Sequence, residues 1–143
     1  MKDQYAALRL KNQLCFPLYA VSNMITRKYK PLLDELDLTY TQYIVMMVLW
    51  EENNINVKTL GEKLFLDSGT LTPLLKKLEN KGYIERKRSN SDERNLVVSI
   101  TKEGLKLRDV AKDIPLKMGS CVNLNEDEAK ELYSILYKIL KNI

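Results

Sequence analysis

Apolar side chains recur every three or four positions over most of the chain, which is the spacing of helices. Between Tyr5 and about Tyr29 this spacing predicts a first long helix. Pro17 falls inside the pattern and predicts a kink near Cys15, because a proline within a helix removes one backbone hydrogen bond. Pro31 is expected to close the segment, since the residue before a proline avoids helical geometry.

A second helix is predicted to begin at a capping box. After a helical turn at residues 32–36, Thr39 and Gln42 have the spacing in which each side chain satisfies the backbone N–H of the other. The residues that follow, 43–50, are nearly all apolar, so this helix is expected to be buried on most sides. Asn53 is expected to end it.

A helix-turn-helix is predicted next. Asn56 lies in a possible short strand at residues 55–57 and can cap a helix over residues 58–65. The turn at residues 66–68 offers two side chains that can cap a second helix, which Gly82 is expected to end. Leucines occupy one side of this second helix and polar residues the other, so one side is expected to face solvent or a partner.

A β-hairpin follows the helix-turn-helix. Two β-like runs, residues 83–88 and 96–101, flank a polar loop at residues 89–95 that is rich in turn-forming residues. Thr101 can cap the helix that comes after the hairpin. A short hairpin in this place is typical of the wing of a winged helix-turn-helix.

The C-terminal part predicts two more helices. Pro115 must bend or end the first of them, and Asn125 with Glu128 forms a capping box for the last. The predicted fold class is mainly α with a small β-wing, a winged helix-turn-helix in a single domain over residues 1–143. The helix-turn-helix and wing cover about residues 40–101, and helices at about 5–30 and 102–143 flank them.

Residue types on which many enzymes rely are scarce. The chain has no histidine and two cysteines, Cys15 and Cys121, which excludes most transition-metal sites and the Ser–His and Cys–His nucleophilic pairs. We therefore expect no metal, no cofactor and no enzymatic activity. The longest apolar run, residues 43–50, is far shorter than the roughly 20 residues of a membrane helix. The N-terminus lacks the apolar region of a secretory signal, so a cytoplasmic protein without a membrane partner is expected.

Positive charge is concentrated around the predicted helix-turn-helix and wing. The whole chain carries a net charge of +4, and the nineteen residues from Lys76 to Arg94 hold seven Lys or Arg against four Asp or Glu. A slim polar helix followed by a cationic hairpin predicts double-stranded DNA as a partner, the alternative being an ordinary solvated surface. The candidate DNA-binding residues are Ser68, Thr70, Thr72, Lys76 and Lys77 on the helix, and Arg86, Arg88, Asp92 and Arg94 on the wing.

Three sequence blocks resemble a known family. Residues 67–95, DSGTLTPLLKKLENKGYIERKRSNSDERN, are similar to the recognition helix and wing of the MarR family of winged-helix regulators. NQLCFPLYA at residues 12–20 and YKPLLDELDLTYTQY at residues 29–43 resemble its organic-hydroperoxide-sensing OhrR branch. The resemblance implies a homodimer formed by the N- and C-terminal helices, bound to a pseudo-palindromic operator. It also implies that Asp92 holds Arg94 for insertion into the minor groove.

The same resemblance implies roles for a thiol and its neighbours. The cysteine that matches Cys15 is the peroxide-reactive thiol of the branch, and tyrosines that match Tyr29 and Tyr40 hydrogen-bond to it from the partner subunit. Tyr19 is a further candidate to support the thiol. Cys121 lies in the region where some members carry a resolving cysteine, and it is equally expected to be a bystander. Without the resemblance, Cys15 would be read as a small buried hydrophobe and the tyrosines as core aromatics.

The function implied is a repressor that leaves its operator when an organic hydroperoxide oxidises Cys15. One alternative is a MarR-type repressor released by a small aromatic ligand, with Cys15 in a structural role. Another is a thiol peroxidase, but the chain has no CxxC motif and no histidine to support turnover.

Overall fold

The computed structural model describes the backbone of residues 2–89 and 92–143 and the side chains of residues 2–88 and 95–143. Over these residues the chain is mainly helical with one small sheet, which confirms the predicted fold class. The helices are α1 (Cys15–Asp34), α2 (Tyr40–Glu52), α3 (Val57–Leu64), α4 (Ser68–Asn80), α5 (Lys102–Ala111), α6 (Ile114–Met118) and α7 (Glu126–Lys141). The strands are β1 (Asn54–Asn56), β2 (Ile84–Ser89) and β3 (Asp92–Ile100), and single 3-10 turns lie at Ala6–Leu8 and Leu10–Asn12.

The chain divides into two compact units. One consists of Met1–Lys28 with Pro115–Ile143, and the other of Tyr29–Ile114. The second unit contains the helix-turn-helix, α3 and α4, and all three strands. The single domain expected from the sequence stays a prediction.

Apolar side chains from the helices and the sheet form the core of the unit Tyr29–Ile114. The sheet is antiparallel with the order β1-β3-β2, and Val98 of the central strand pairs with Ile55 on one side and Arg86 on the other. Side chains with essentially no exposure come from α1, α2, α3, α4, β2 and β3: Leu33, Val45, Met46, Leu49, Leu60, Leu71, Leu75, Leu78, Ile84 and Val98. The leucines of α4 therefore fix that helix on the core by one side.

Side-chain caps begin the helices where the sequence predicts them. Thr39 and Gln42 form the complete capping box of α2, and the carboxylate of Asp67 accepts a hydrogen bond from the backbone N–H of Thr70 at 2.7 Å. Asn56, Thr101 and Asn125 cap α3, α5 and α7. These caps satisfy N–H groups that a helix leaves unpaired at its start, so each boundary is set by local chemistry. Gly82 ends α4 with a positive φ of 83°, as predicted.

The predicted first helix was wrong at both ends. α1 begins at Cys15 and not at Tyr5, so Pro17 lies in its first turn and produces no kink within a longer helix. A first-turn proline is tolerated because its missing N–H would have had no intrahelical acceptor. Pro31 lies inside α1, which continues to Asp34 and absorbs the helical turn predicted at residues 32–36. Only a few residues follow Pro31, so the helix loses one hydrogen bond near its end and continues.

The predicted wing loop was too long. Strand β3 begins at Asp92, although the sequence places residues 89–95 in a loop. Ser89 pairs with Asp92 across the hairpin, and a register irregularity lies between Arg88 and Ser89. Backbone groups form the ladder of a sheet, so polar composition alone does not exclude a strand. Asn90 and Ser91, at the tip, lie outside the described residues.

Candidate nucleic-acid interface and thiol site

The exposed side of α4 carries the polar residues that the sequence assigns to DNA. Ser68, Thr70, Thr72, Lys76 and Lys77 are all exposed. Leu71, Leu75 and Leu78 lie on the opposite side and are at most 1% exposed. An α-helix presented in this way has the width and the donors needed to enter the major groove.

A carboxylate holds the first turn of α4. Asp67 accepts from the N–H of Thr70, and this hydrogen bond holds the pKa of the Asp67 carboxyl below its usual range. The cap therefore stays ionised at neutral pH, where it complements the positive end of the helix dipole. Ser68, the other capping candidate from the sequence, is the first residue of α4.

The wing residues divide into two groups. Arg86 is turned toward the protein: its Nη2 donates to Glu79 Oε1 at 3.1 Å, its backbone N–H donates to Glu79 Oε2 at 3.1 Å, and its side chain is 18% exposed. The hydrogen bond from Arg86 lowers the pKa of Glu79. Arg88 is exposed on β2. Asp92 and Arg94 belong to β3 by their backbone, and their predicted side-chain pairing lies outside what the structure describes.

Arg86 therefore joins the end of α4 to the wing and does not extend freely into solvent. Its Nε is buried and has no hydrogen-bond partner within the described part of the chain. The sequence predicts Arg86 as a DNA contact because it does not distinguish this arginine from the other cations of the wing. The acid seven residues earlier, at Glu79, was the available sign of an internal pair.

Cys15 lies at a helix start. It is the first residue of α1 and is exposed, contrary to the reading of a small buried hydrophobe. Backbone N–H groups in the first turn of a helix lack intrahelical acceptors, and the positive end of the helix dipole lies there. The sequence predicted a proline kink near Cys15, and the structure has the N-terminus of a helix there instead. Tyr19 is one turn later on the same face of α1 and is 66% exposed.

Tyr29 and Tyr40 are in direct contact within the unit Tyr29–Ile114. Their ring centroids are 5.0 Å apart, and Tyr43 lies 5.8 Å from Tyr29 and 6.2 Å from Tyr40. Burial raises the pKa of Tyr40, and burial followed by the charge of Tyr40 raises that of Tyr43. These phenols therefore stay protonated at neutral pH and keep their O–H groups as hydrogen-bond donors. The thiol of Cys15 belongs to the other compact unit.

Two aromatic residues that the sequence did not assign to the site, Tyr43 and Trp50, extend this cluster. Tyr43 contacts Trp50 edge-on at 6.2 Å, and Trp50 Nε1 donates to the carbonyl of Gly104 at 2.9 Å. Tyr40, Tyr43 and Trp50 are spaced by three and seven residues on α2, which places them on one face. That spacing is the feature of the sequence that could have placed the three aromatic residues together.

Cys121 follows α6 and is partly exposed. Its N–H donates to the carbonyl of Met118 at 3.0 Å, and its own carbonyl accepts from Lys28 Nζ at 3.4 Å. Both cysteines are free thiols. The described residues contain no group of three or more potential metal ligands. No helix among them is long and apolar enough to cross a membrane.

Comparison with known proteins identifies relatives along the whole chain. The family model described as Transcriptional regulator SarA/Rot matches residues 27–110. The organic hydroperoxide resistance transcriptional regulator of Bacillus subtilis is 46% identical over 143 residues, which are 100% of this chain and 97% of that protein. The HTH-type transcriptional regulator SarZ of Staphylococcus aureus is 47% identical over 127 residues, 89% of this chain and 86% of that protein.

Solved structures of AbfR, a protein of Staphylococcus epidermidis, share the fold. Reduced AbfR bound to DNA has a TM-score of 0.79 and 38% identity, with 94% of both chains covered. Overoxidized AbfR bound to DNA has a TM-score of 0.79 at 36% identity over 98% of both chains, and disulfide-formed AbfR has 0.65 at 36% over 93% of both. The winged helix-turn-helix of this structure and the similarity to these relatives point to the same family as the sequence blocks around Cys15, around Tyr29 and at residues 67–95. The chain therefore belongs to the MarR family of winged-helix transcriptional regulators, in the group that contains the SarA/Rot regulators and the organic-hydroperoxide-sensing OhrR branch.

Proposed function

We propose that this protein is a homodimeric, redox-sensing repressor that binds a pseudo-palindromic operator in double-stranded DNA and leaves it when an organic hydroperoxide oxidises Cys15. The observation that carries the proposal is the exposed thiol of Cys15 at the N-terminus of α1. Its B. subtilis relative is an organic hydroperoxide resistance regulator, and AbfR exists in reduced, overoxidized and disulfide forms.

Operator binding rests on the exposed face of α4. Thr70 and Thr72 can read base edges, and Lys76 and Lys77 can neutralise phosphates. Ser68 adds a hydroxyl at the helix start, where backbone N–H groups also favour phosphate oxygens. We assign Arg88 to the phosphate backbone and Arg94, oriented by Asp92, to the minor groove. Arg86 acts indirectly, by holding β2 against the end of α4 through Glu79.

The sensing step is a two-electron oxidation of sulfur. The thiolate of Cys15 attacks the terminal oxygen of the hydroperoxide, so that an S–O bond forms, the O–O bond breaks and an alcohol leaves after taking up a proton. The product is a sulfenic acid. The thiol of the partner subunit's Cys121 then condenses with it to an intersubunit disulfide and releases water; a small cellular thiol would do the same. The N–H groups of the first turn of α1 stabilise the attacking thiolate.

The tyrosine hydroxyl groups have a defined part in this scheme. Tyr29 and Tyr40 of the partner subunit donate O–H hydrogen bonds to the sulfur, as the family resemblance implies, and Tyr19 contributes from the same helix face as Cys15. Burial raises the pKa of Tyr40 and so keeps this donor protonated. Oxidation places an oxygen where these bonds were made, and the tyrosines must then move or exchange partners.

A homodimer accounts for the apolar surface of α7. This helix has no buried residue in the single chain, although Leu132, Ile135, Leu136 and Ile139 are apolar and share one face of it. A patch of this kind marks a protein interface. Two subunits related by a two-fold axis would present two copies of α4 to successive turns of the major groove. In this proposal the protein acts in the cytoplasm. It is not an enzyme, because Cys15 reacts once for each reductive cycle.

Operator binding with and without oxidant tests the proposal. A fluorescent duplex selected from random sequence for binding to the reduced protein is titrated with wild type, Cys15→Ser and Cys121→Ser, before and after cumene hydroperoxide. Wild type should bind and be released, Cys15→Ser should bind and stay bound, and Cys121→Ser should lose any dimer band on a non-reducing gel. Release of Cys15→Ser by peroxide would contradict the sensing role. Release of both wild type and Cys15→Ser by salicylate, and of neither by peroxide, would favour the aromatic-ligand alternative.

A further inference from the structure

The ammonium group of Lys81 holds the end of α4 to the start of α2. Lys81 is the C-cap residue of α4, directly after the helix that carries the proposed DNA contacts. Its Nζ donates to Gln42 Oε1 at 3.1 Å and to the carbonyl oxygen of Asp37, and it lies 3.6 Å from Asp37 Oδ1. The Lys81 side chain is 25% exposed, so these contacts lie partly out of water.

The acceptors of Lys81 belong to a rigid corner between α1 and α2. Gln42 is 2% exposed, and its Oε1 also accepts from the backbone N–H of Thr39 at 3.0 Å in the capping box. Asp37 has a positive φ of 54°, a backbone conformation that is uncommon outside glycine but that aspartate adopts more readily than most residues. Tyr83, two residues after Lys81, adds a second tie, because its hydroxyl donates to the carbonyl of Leu36 at 3.3 Å.

The same corner carries one of the proposed thiol-supporting tyrosines. Tyr40 is the first residue of α2, between Thr39 and Gln42, and its ring contacts Tyr29 at 5.0 Å. One side of the first turn of α2 therefore faces the tyrosine pair, and the Gln42 amide on the same turn faces the end of α4. A displacement of Tyr40 moves the acceptor of Lys81 because both belong to a single helical turn.

We propose that Lys81 is a positioning residue that couples the Tyr29–Tyr40 pair to the DNA-reading helix. The proposal rests on the proposed function, in which oxidation of Cys15 changes the contacts of these tyrosines. The start of α2 shifts with Tyr40, Lys81 follows Gln42 and Asp37, and the C-terminal end of α4 changes its position. An ammonium group suits this task, because two of its donors bind oxygen atoms of one corner while its charge pairs with the carboxylate of Asp37 at the same corner.

The coupling can be removed without dismantling the fold. In Lys81→Met the methylene stem is kept, and Gln42 Oε1 still accepts from Thr39. The backbone cap of α4 is also unaffected, since the N–H of Lys81 donates to the carbonyl of Lys77. Lys63 provides a matched control: its Nζ pairs with Glu52 at 2.7 Å, joining α3 to α2 at the end remote in sequence from Tyr40. Lys63→Met removes the same charge and one ion pair.

The measured quantity is the ratio of operator Kd in the oxidised and reduced protein. A ratio cancels the general loss of affinity that follows removal of any cation. We expect Lys81→Met to lower this ratio relative to wild type by about 2- to 30-fold, the range found for residues that carry coupling between sites. Lys81→Arg, which keeps the charge and the donors, should restore most of it, and Lys63→Met should leave it unchanged.

Fluorescence of Trp50 and circular dichroism confirm that each variant is folded. Should Lys81→Met not fold, Lys81→Gln takes its place, because its amide removes the charge and remains polar, and the same fall in the ratio is expected. If oxidant releases wild type and the ratio in Lys81→Met equals that of wild type, the coupling is overturned. The proposed function would still stand. A wild type that oxidant does not release would overturn the proposed function and the coupling with it.

Discussion

Replacing Gly104 by alanine should destabilise the protein more than most surface substitutions. Gly104 lies in the first turn of α5, where its N–H donates to Thr101 Oγ1 at 3.1 Å. A Cβ added there would be 2.2 Å from the carbonyl oxygen of Tyr83 and 3.1 Å from Met46 Cε. The nearest obstacle is a backbone atom, which cannot rotate away as a side chain can. The first turn of α5 must therefore move away from Tyr83, the residue before β2.

The size of the effect follows from the contacts at this position. A carbon and an oxygen in contact are normally more than 3 Å apart, so the turn must shift by about 1 Å. Overpacking typically costs about 1–3 kcal/mol, and the backbone obstacle places Gly104→Ala at the upper end. The shift also strains the hydrogen bond from Trp50 Nε1 to the Gly104 carbonyl, worth about 1 kcal/mol. A loss of about 3–4 kcal/mol corresponds to a fall in Tm of about 10 °C in a chain of this length.

Thermal unfolding followed by tryptophan fluorescence measures this directly. Trp50 is the single tryptophan of the chain, and its Nε1 donates a hydrogen bond to the carbonyl of the substituted residue. Its fluorescence therefore reports on the affected region. Protein concentration is held constant because association shifts the Tm. Gly119→Ala is the control: its Cβ would meet backbone oxygens at 3.4 and 3.6 Å, and little change is expected. A fall in Tm below about 2 °C for Gly104→Ala would refute the close packing of α5 on Tyr83.

Three further substitutions test other parts of the structure. Arg86→Met removes the partner that lowers the pKa of Glu79. The ion pair is complete above the ordinary Glu79 pKa of 4.5 and is lost as the pH falls through the lower folded-state pKa, so wild type should lose Tm more steeply than Arg86→Met as the pH falls below 4.5. Parallel Tm–pH curves would argue against it. Asn56→Ala deletes the cap of α3, whose side chain accepts from Lys58 N at 2.8 Å, and should lower the free energy of unfolding in urea by about 1 kcal/mol, whereas Asn56→Asp should not. Equal losses in both would contradict the capping role. Lys76→Ala should reduce the slope of log K for operator binding against log salt by about 1, and an unchanged slope would remove Lys76 from the phosphate contacts.

Features set by neighbouring residues were predictable from the sequence. The caps at Thr39, Asn56 and Asp67 depend on side chains that reach N–H groups two or three residues away, and the chain shows such spacings directly. The leucine stripe of α4 is equally local, because a helix places positions three and four apart on one side. The fold class followed from the order of these elements.

Features set by tertiary packing were not predictable. Pro17 fits both a kink inside a long helix and the first turn of a shorter one, and the choice depends on how residues 5–14 pack. Arg86 is one of several cations in the wing, and its pairing with Glu79 exists only because β2 approaches the end of α4. The contacts of Lys81 with Asp37 and Gln42 join residues about forty positions apart, for which the sequence carries no periodic signal.

In the proposed homodimer, the absence of any buried residue in α7 of the single chain would make the folding of this helix depend on the amount of protein in the cell. A sixteen-residue helix with no buried residue gains little stability from packing within its own chain, and in the proposed homodimer the second chain would supply that packing. The folded fraction then follows mass action and rises with the number of copies in the cell. At low copy number, a cell would hold chains whose wings are intact but whose spacing on DNA is undefined. In the proposed homodimer, synthesis rate would thus be a second control on operator occupancy, one that operates without any change in oxidant.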